Sequence, residues 1–312
     1  MNLFDLLFNN FPQWLAEKLS TDDNEITTAA VRDMLYWGSS GVGLIVATIL
    51  VICTLKWMNI RIRQAPLITI TIVPAGFFSA LFTAWIFDGW GGRNEIIGSF
   101  LLIPGAFLFL PALMWPLLKL ARLPQKEFYD LSAAPIAIMV CFGKLGCCFG
   151  GCCFGELASW GVTPAVLTEG ATSVYYLPIP EFESFAALFA CIFTLWFIKK
   201  SKSYIIGSAW PICAGIFSTL RFISDFFRYY SATDPVGHTL GLTLWQWFSL
   251  LTVIYCVAWL WVLYNKAFEA RGERSLNQRL LAAAESVGQK LKRAWNGAPK
   301  QIHGKKKKRK KR

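Results

Sequence analysis

Two stretches of this sequence place reactive side chains where an apolar chain would not normally carry them. Residues 138–155 read IMVCFGKLGCCFGGCCFG: an apolar run, then Lys144, then a CC-x3-CC cluster set among glycines. An ammonium within a membrane-length apolar segment is costly and marks a site by default. The glycines Gly143, Gly146, Gly151 and Gly155 would let a backbone or a ligand come close. The second stretch, SAWPICAGIFSTLRFISDFFRYYSATD, spaces Arg221, Asp225 and Arg228 at i, i+4 and i+7, which on a helix is one face. Arg221 offers a planar fork for a phosphate or carboxylate, and Asp225 would orient it. A structural ion pair pinning two helices is the plainer reading of the same residues. Arg228 sits near headgroup level, where it would simply snorkel. Lys144 and Arg221 together, offset by one carboxylate, suit an anionic headgroup, whose phosphodiester they would neutralise.

Nine cysteines are present, and five of them, Cys53, Cys141, Cys191, Cys213 and Cys256, are scattered through apolar segments as small apolar side chains. Cys147, Cys148, Cys152 and Cys153 leave three readings open. They are small residues for close helix packing, or a disulfide in an oxidising compartment, or a metal site. For a metal the x3 gap suits zinc, but no histidine is near and adjacent ligands are awkward, so no metal is assigned. Soluble-enzyme signatures are missing: there is no G-x4-GK[ST], no G-x-S-x-G and no H-E-x-x-H. His238 and His303 are the only histidines, and both read as loop or tail residues.

The elements that must position these groups follow from composition. Of 312 residues, 55% are hydrophobic and only 16% charged, which excludes an ordinary soluble domain. Seven apolar segments approach the roughly 20 residues that a bilayer requires. They lie near 35–56, 67–87, 96–118, 131–150, 183–198, 205–227 and 241–263. The third holds Pro104, Pro111 and Pro116 and should be kinked or broken; the fifth begins at Glu183, at the interface. The expected fold class is therefore all-α, a polytopic membrane protein with seven transmembrane helices.

Charge orients the bundle. Lys56, Arg61 and Arg63 follow the first span, Lys119, Arg122 and Lys126 the third, and Lys199, Lys200 and Lys202 the fifth. The alternate loops are poor in Lys and Arg, with none at all between Gly151 and Glu183. The positive-inside rule then puts the N-terminus outside, the C-terminus in the cytoplasm and the cysteine cluster near the outer face. Residues 1–34 read as an interfacial amphipathic segment rather than a cleaved leader, with Leu3, Phe4, Leu7, Phe8, Phe11 and Leu15 at helical spacing. Residues 35–263 form the membrane domain, with an outer cap near 151–182. The net charge of +12 belongs to the tail, residues 264–312, which carries 16 Lys/Arg against three Glu. That tail is a partner for anionic lipid of the inner leaflet; without interleaved aromatics or a recognisable fold, no nucleic-acid partner is expected.

These residues also carry a family resemblance. GKLGCCFGGCCFGE resembles the signature loop G-R-x-G-N-F-x-N-G-E-x-x-G of the bacterial prolipoprotein diacylglyceryl transferases. LRFISDFFR resembles their R-F-x-x-E-F-F-R, TLWQWFSL their T-x-G-Q-x-x-S, and YLPIPEFES their H-P-T-Q-L-Y-E. The four come in the family's order. The resemblance implies transfer of the diacylglyceryl group of phosphatidylglycerol to the lipobox cysteine of a prolipoprotein, with release of glycerol phosphate, in the bacterial inner membrane and without metal or cofactor. It places Lys144, Arg221 and Asp225 in catalytic positions, and Gly143, Gly146, Cys147, Gly151, Gly155, Glu183 and Arg228 in substrate-binding ones.

Departures accompany the matches. Lysine stands in the slot of the signature arginine, cysteine in that of the asparagine, and Asp225 in that of a glutamate. Pro104-Gly105-Ala106 occupies the slot of a functional His-Gly-Gly. The thiol's proton would then pass to Asp225, or a low-pKa substrate thiolate would form beside Lys144 and Arg221. The alternative is a non-catalytic member that binds an anionic lipid or a lipoprotein partner. A small-anion transporter is a weaker reading, since no inverted repeat is visible.

Overall fold

The computed structural model describes residues 6–20, 27–58, 103–120, 122–162, 175–229, 238–272 and 275–297. The expected second span, 67–87, the beginning of the third, Leu3 and Phe4, part of the outer cap and the final Lys/Arg run lie outside the described residues. Two compact units divide the chain, residues 1–260 and 261–312.

The first unit is helical. A π-helical turn, Leu6–Asn10, leads into α1, Phe11–Leu19. Helix α2 spans Thr28–Trp57, α3 Ile103–Leu120, α4 Gln125–Gly150, α5 Ile179–Lys200 and α6 Ala209–Ser224. Helix α7, Leu244–Ala270, begins in this unit. Four of them, α2, α4, α5 and α7, are long and apolar enough to cross a membrane. Boundaries move where local chemistry differs from hydropathy. Helix α2 begins at Thr28 because Thr27 accepts from Ala30 N as its N-cap, so it takes in part of the expected interfacial segment. Helix α3 runs through Pro111 and Pro116 as one helical segment.

Helix α4 is the centre of the bundle. Small residues line it: Ala133, Ala134, Ala137 and Cys141 are all buried. They meet Ala187, Ala190 and Cys191 of α5 and Cys213 and Ala214 of α6 in one core. Without a hydrophobic drive between helices in lipid, such small faces gain dispersion contact by close approach. Hydroxyls and thiols then tie the helices together. Ser184 Oγ donates to Cys141 O at 3.0 Å, and Cys213 Sγ to Ala133 O at 3.4 Å. On the other side a Cβ at Gly43 would stand 2.7 Å from Phe142 Cβ, so α2 approaches α4 closely. Large apolar side chains that remain exposed, among them Ile45, Ile49, Phe185, Ile192, Ile254 and Val257, point outward from α2, α5 and α7.

Two small β elements cover one end. Strands β1, Leu157–Ala158, and β2, Tyr175–Tyr176, pair antiparallel. Strands β3, His238–Thr239, and β4, Leu242–Thr243, form a hairpin whose central residues Leu240 and Gly241 both have positive φ, the requirement of a type I′ turn.

The second unit contains the end of α7 and helix α8, Leu276–Gly297. Ser275 and Gln278 exchange backbone-to-side-chain bonds at the start of α8 in a capping-box pattern. Asn265 Oδ1 accepts from Leu276 N at 2.7 Å, and the Arg279 guanidinium lies 4.3 Å from the Phe268 ring.

Candidate active site: a buried ionic cluster between helices

Asp130 fixes the geometry first. It is fully buried in α4 and accepts from Gly207 N at 2.7 Å, Ala209 N at 2.9 Å and Trp210 N at 3.2 Å. The Tyr204 hydroxyl adds a fourth bond at 2.9 Å. A carboxylate at the helix N-terminus satisfies donors that the helix leaves open and suits its dipole. The start of α6 is thus tied to α4, and three turns later α6 delivers Arg221.

That residue enters a cluster of five ionisable groups, all less than a tenth exposed: Lys144, Glu183, Arg221, Asp225 and Arg228. Glu183 is its hub. Lys144 Nζ lies 2.7 Å from Glu183 Oε2, and both Arg221 and Arg228 donate to Oε1. Ser224 Oγ also reaches Oε1, at 3.2 Å. Asp225 Oδ1 takes Arg221 Nη2 at 3.5 Å and Arg228 Nε at 3.3 Å, and its Oδ2 accepts from Thr243 Oγ1 at 2.6 Å. Among the described residues three cations thus face two carboxylates, an excess of one positive charge carried by buried side chains.

Two expectations are corrected by this arrangement. Arg221, Asp225 and Arg228 do not share a helix face. Helix α6 ends at Ser224, Asp225–Phe227 is a 3-10 turn, and Arg228 is extended and bridged to Gly155. Glu156 N donates to Phe227 O at 2.9 Å and Tyr229 N to Phe154 O at 3.3 Å, so strand pairing draws the chain out of the helix. Arg228 is accordingly buried and paired rather than snorkelling. Glu183 does not begin its helix at an interface: α5 starts a turn earlier and holds Glu183 at 1% exposure.

Thr243 links the cluster to α7. Its N–H donates to Gln246 Oε1 at 2.8 Å, and Gln246 N donates to Thr243 Oγ1 at 3.1 Å, a reciprocal cap. The hydroxyl proton is then free for Asp225. The TLWQ spacing is therefore both a helix start and a support for the cluster.

The glycines have backbone and packing reasons of their own. Gly146 turns toward α2, where a Cβ would stand 2.9 Å from Tyr36 O. Gly151 ends α4 at φ 66. At Gly155 a Cβ would lie 2.6 Å from both Phe227 O and Leu177 Cβ. Gly143 is buried in α4 between Phe142 and Lys144. Cys147 is buried one turn from Lys144, and its thiol joins those of Cys152 and Cys153. Cys153, beyond the end of α4, is drawn well below the ordinary thiol range by hydrogen bonds from Cys147 and Cys152, and the charges of Lys144 and Arg228 act in the same direction.

An apolar groove of about 650 Å³ opens between α5 and the end of α6. Phe182, Phe185, Phe189, Leu220, Ile223 and Phe227 line it, and among the described residues its polar lining is Glu183 and Ser224.

The family model for prolipoprotein diacylglyceryl transferase matches residues 14–262. The chain belongs to that family. Relatives agree at modest identity. A phosphatidylglycerol–prolipoprotein diacylglyceryl transferase of Clostridium tetani is 26% identical over 163 residues, 52% of this chain and 59% of that protein. A second, from Clostridium perfringens, is 28% identical over 130 residues, 41% of this chain and 48% of that protein. A third, from Dehalococcoides mccartyi, is 23% identical over 211 residues, 60% of this chain and 80% of that protein. The aligned part thus spans only about half the length of the two clostridial relatives.

For a prolipoprotein diacylglyceryl transferase family member, the sequence marked all five cluster residues but missed the hub. Glu183 stood out as the start of a span and, through the resemblance, as a substrate-binding position, but nothing local shows that three cations converge on it. Asp130 and Thr243 were missed as positioning residues. A carboxylate at the threshold of the fourth apolar run was the available signal for the first, and the T-x-x-Q capping pattern for the second.

Proposed function

We propose that this chain transfers the diacylglyceryl group of phosphatidylglycerol to the cysteine thiol of a prolipoprotein, releasing glycerol phosphate. The observation that carries this reading is a buried cluster with one excess positive charge at the polar end of an apolar groove. Family membership supports it. The acyl chains lie along Phe182, Phe185, Phe189 and Ile223. The phosphodiester takes Lys144 and Arg221, while Asp225 and Glu183 hold the cations in place before it arrives. Pre-oriented charge in a water-poor site stabilises a developing phosphate far more than the same charge in water. Arg228 and Cys147 complete the headgroup walls, and Gly143, Gly146, Gly151 and Gly155 belong to the same binding segment.

The acceptor sulfur attacks the glyceryl carbon; the C–S bond forms as the C–O bond to phosphate breaks. The thiol's proton passes to the departing phosphomonoester and on to water, since that group's second ionisation lies at about pH 6. This accounting needs no histidine, which matters because Pro104-Gly105-Ala106 opens α3.

The full topology belongs to the same proposal: seven spans, N-terminus outside, C-terminus in the cytoplasm of a bacterial inner membrane. Residues 1–34 lie at the interface, 35–263 form the enzyme and 264–312 a basic tail on the anionic leaflet. Alternating Lys/Arg loops support it.

Purified chain given phosphatidylglycerol and a lipobox peptide should release glycerol phosphate. No release above an Arg221→Ala control would sink the transferase reading. The missing histidine motif favours one alternative, a non-catalytic member that binds anionic lipid. Lipid binding that needs Arg221, without release, would be its result.

A further inference from the structure

Of the four cysteines in the CC-x3-CC run, three converge and one is diverted. Cys148 Sγ donates back to Lys144 O at 3.1 Å. The thiol sulfurs of Cys147, Cys152 and Cys153 all lie within 4.8 Å of one another.

One local device makes this arrangement. Gly151 closes α4 in the left-handed region, and Cys152 N donates to Cys147 O at 3.2 Å, the long bond of a Schellman turn. The turn folds Cys152 back over Cys147. Cys153 then adopts φ 62, a left-handed conformation that strains a non-glycine residue. Strain of that kind persists where surroundings over-determine it. Here Arg228 Nη1 donates to Cys153 O at 3.4 Å, and the Gly155–Arg228 bridge holds the chain just beyond. Packing alone asks for small side chains at these positions and gives no reason for three sulfurs to meet.

We propose that Cys147, Cys152 and Cys153 form a three-thiolate site for a thiophilic metal ion of the Zn²⁺, Cd²⁺ and Cu⁺ class. At a zinc–sulfur length of about 2.3 Å, sulfurs around one ion stand roughly 3.8–4.0 Å apart. The observed spacing, within 4.8 Å, exceeds that value by about an ångström at most. Among the described residues sulfur alone converges here, which selects soft or borderline ions over magnesium or calcium. A divalent ion with three thiolates carries one negative charge, and the positive charges of Lys144 and Arg228 act on the cluster. Cys147 is buried while Cys152 and Cys153 are half-buried, so the site has a closed floor and an open side. Three protein sulfurs leave one tetrahedral position for a water or an exogenous thiol.

The full chain, purified in detergent and reduced under argon, would be titrated with Cd²⁺ while the thiolate-to-cadmium charge-transfer band is followed in the ultraviolet. One ion per chain is expected. Zn²⁺ should protect three of the nine thiols from alkylation, mapped by mass spectrometry to Cys147, Cys152 and Cys153. Cys152→Ser should abolish the band and Cys148→Ser should keep it, with size-exclusion and melting profiles confirming that each variant is folded. The zinc-protection map is read on the unaltered chain and stands if Cys152→Ser does not fold. A missing band, an unchanged thiol count with Zn²⁺, or binding retained by folded Cys152→Ser overturns the site. So does a disulfide between two of the three cysteines in protein isolated without reductant, which would make the cluster an oxidised pair.

Discussion

Lys144 Nζ lies 2.7 Å from Glu183 Oε2, and this contact joins the two central helices of the bundle through charge. Both side chains are buried, so neither has water to fall back on. The opposite oxygen of Glu183 serves Arg221 and Arg228. Neutralising Glu183 therefore leaves three cations facing Asp225 alone. Breaking a buried ion pair from one side costs about 3–5 kcal/mol, chiefly through the charge left behind. Glu183→Gln should lower the melting temperature of the detergent-purified chain, with a loss near the lower end of that range because the amide oxygen still accepts. An unchanged melting temperature would mean that the cations find other partners.

Arg221 is the cation whose geometry matters most to a phosphodiester. Arg221→Lys keeps the charge but loses the fork that holds Glu183, Asp225 and substrate together. Removing one pre-oriented donor from a site of this type costs about 10²–10³-fold in rate. Glycerol phosphate release should fall by about 100-fold in Arg221→Lys and further in Arg221→Ala. Equal activity in Arg221→Lys would show that charge alone is used.

The helical membrane character and the residues of the cluster were legible because apolar runs broken by ionisable groups have few explanations. The end of α6 was not. Helical spacing describes Arg221 and Asp225 well, but the turn at Ser224 is imposed by pairing with residues near Gly155, some seventy positions away. Glu183 was hidden for a related reason. Its role depends on three cations from α4, α6 and the extended segment after it, and sequence shows each only on its own element. The groove was illegible too, since its Phe and Ile side chains read as any lipid-facing surface.

Asp130 tests whether the tie between α4 and α6 matters. Its two oxygens receive four donors. Asp130→Asn keeps the shape, but one oxygen becomes an N–H donor that faces other donors. Leaving buried donors unsatisfied costs about 1–3 kcal/mol each. The variant should melt lower by several degrees and lose activity through displacement of Arg221, with kcat falling more than KM rises. Loss of stability with unchanged kcat would separate the helix tie from the site.

Thr243 connects Asp225 to the first turn of α7. Thr243→Val is close to isosteric and removes both the bond to Asp225 and the cap on Gln246 N. Losing a cap costs about 1 kcal/mol, and a bond to a charged group about 1.5–3 kcal/mol. Thr243→Ser keeps the hydroxyl and should restore both. Stability and glycerol phosphate release measured on the pair should therefore split, with Val impaired and Ser near the parent. If Ser is as impaired as Val, the methyl group rather than the hydroxyl carries the effect.

The groove makes a prediction that depends on the lipid rather than on the protein's stability. Ala186 lies on its floor, partly buried between Phe182 and Phe189 on the same helix. Ala186→Trp fills the groove from an apolar surface that can accommodate the ring, so the fold should survive. Each acyl methylene lost from apolar contact is worth about 0.8 kcal/mol, so excluding even three should weaken binding by roughly fifty-fold. The variant should raise KM for long-chain phosphatidylglycerol and leave the rate with a short-chain, detergent-soluble analogue near that of the parent, because the ionic cluster is untouched. A uniform loss across chain lengths would place the acyl chains elsewhere, and no loss at all would mean that hydrocarbon does not enter between α5 and α6.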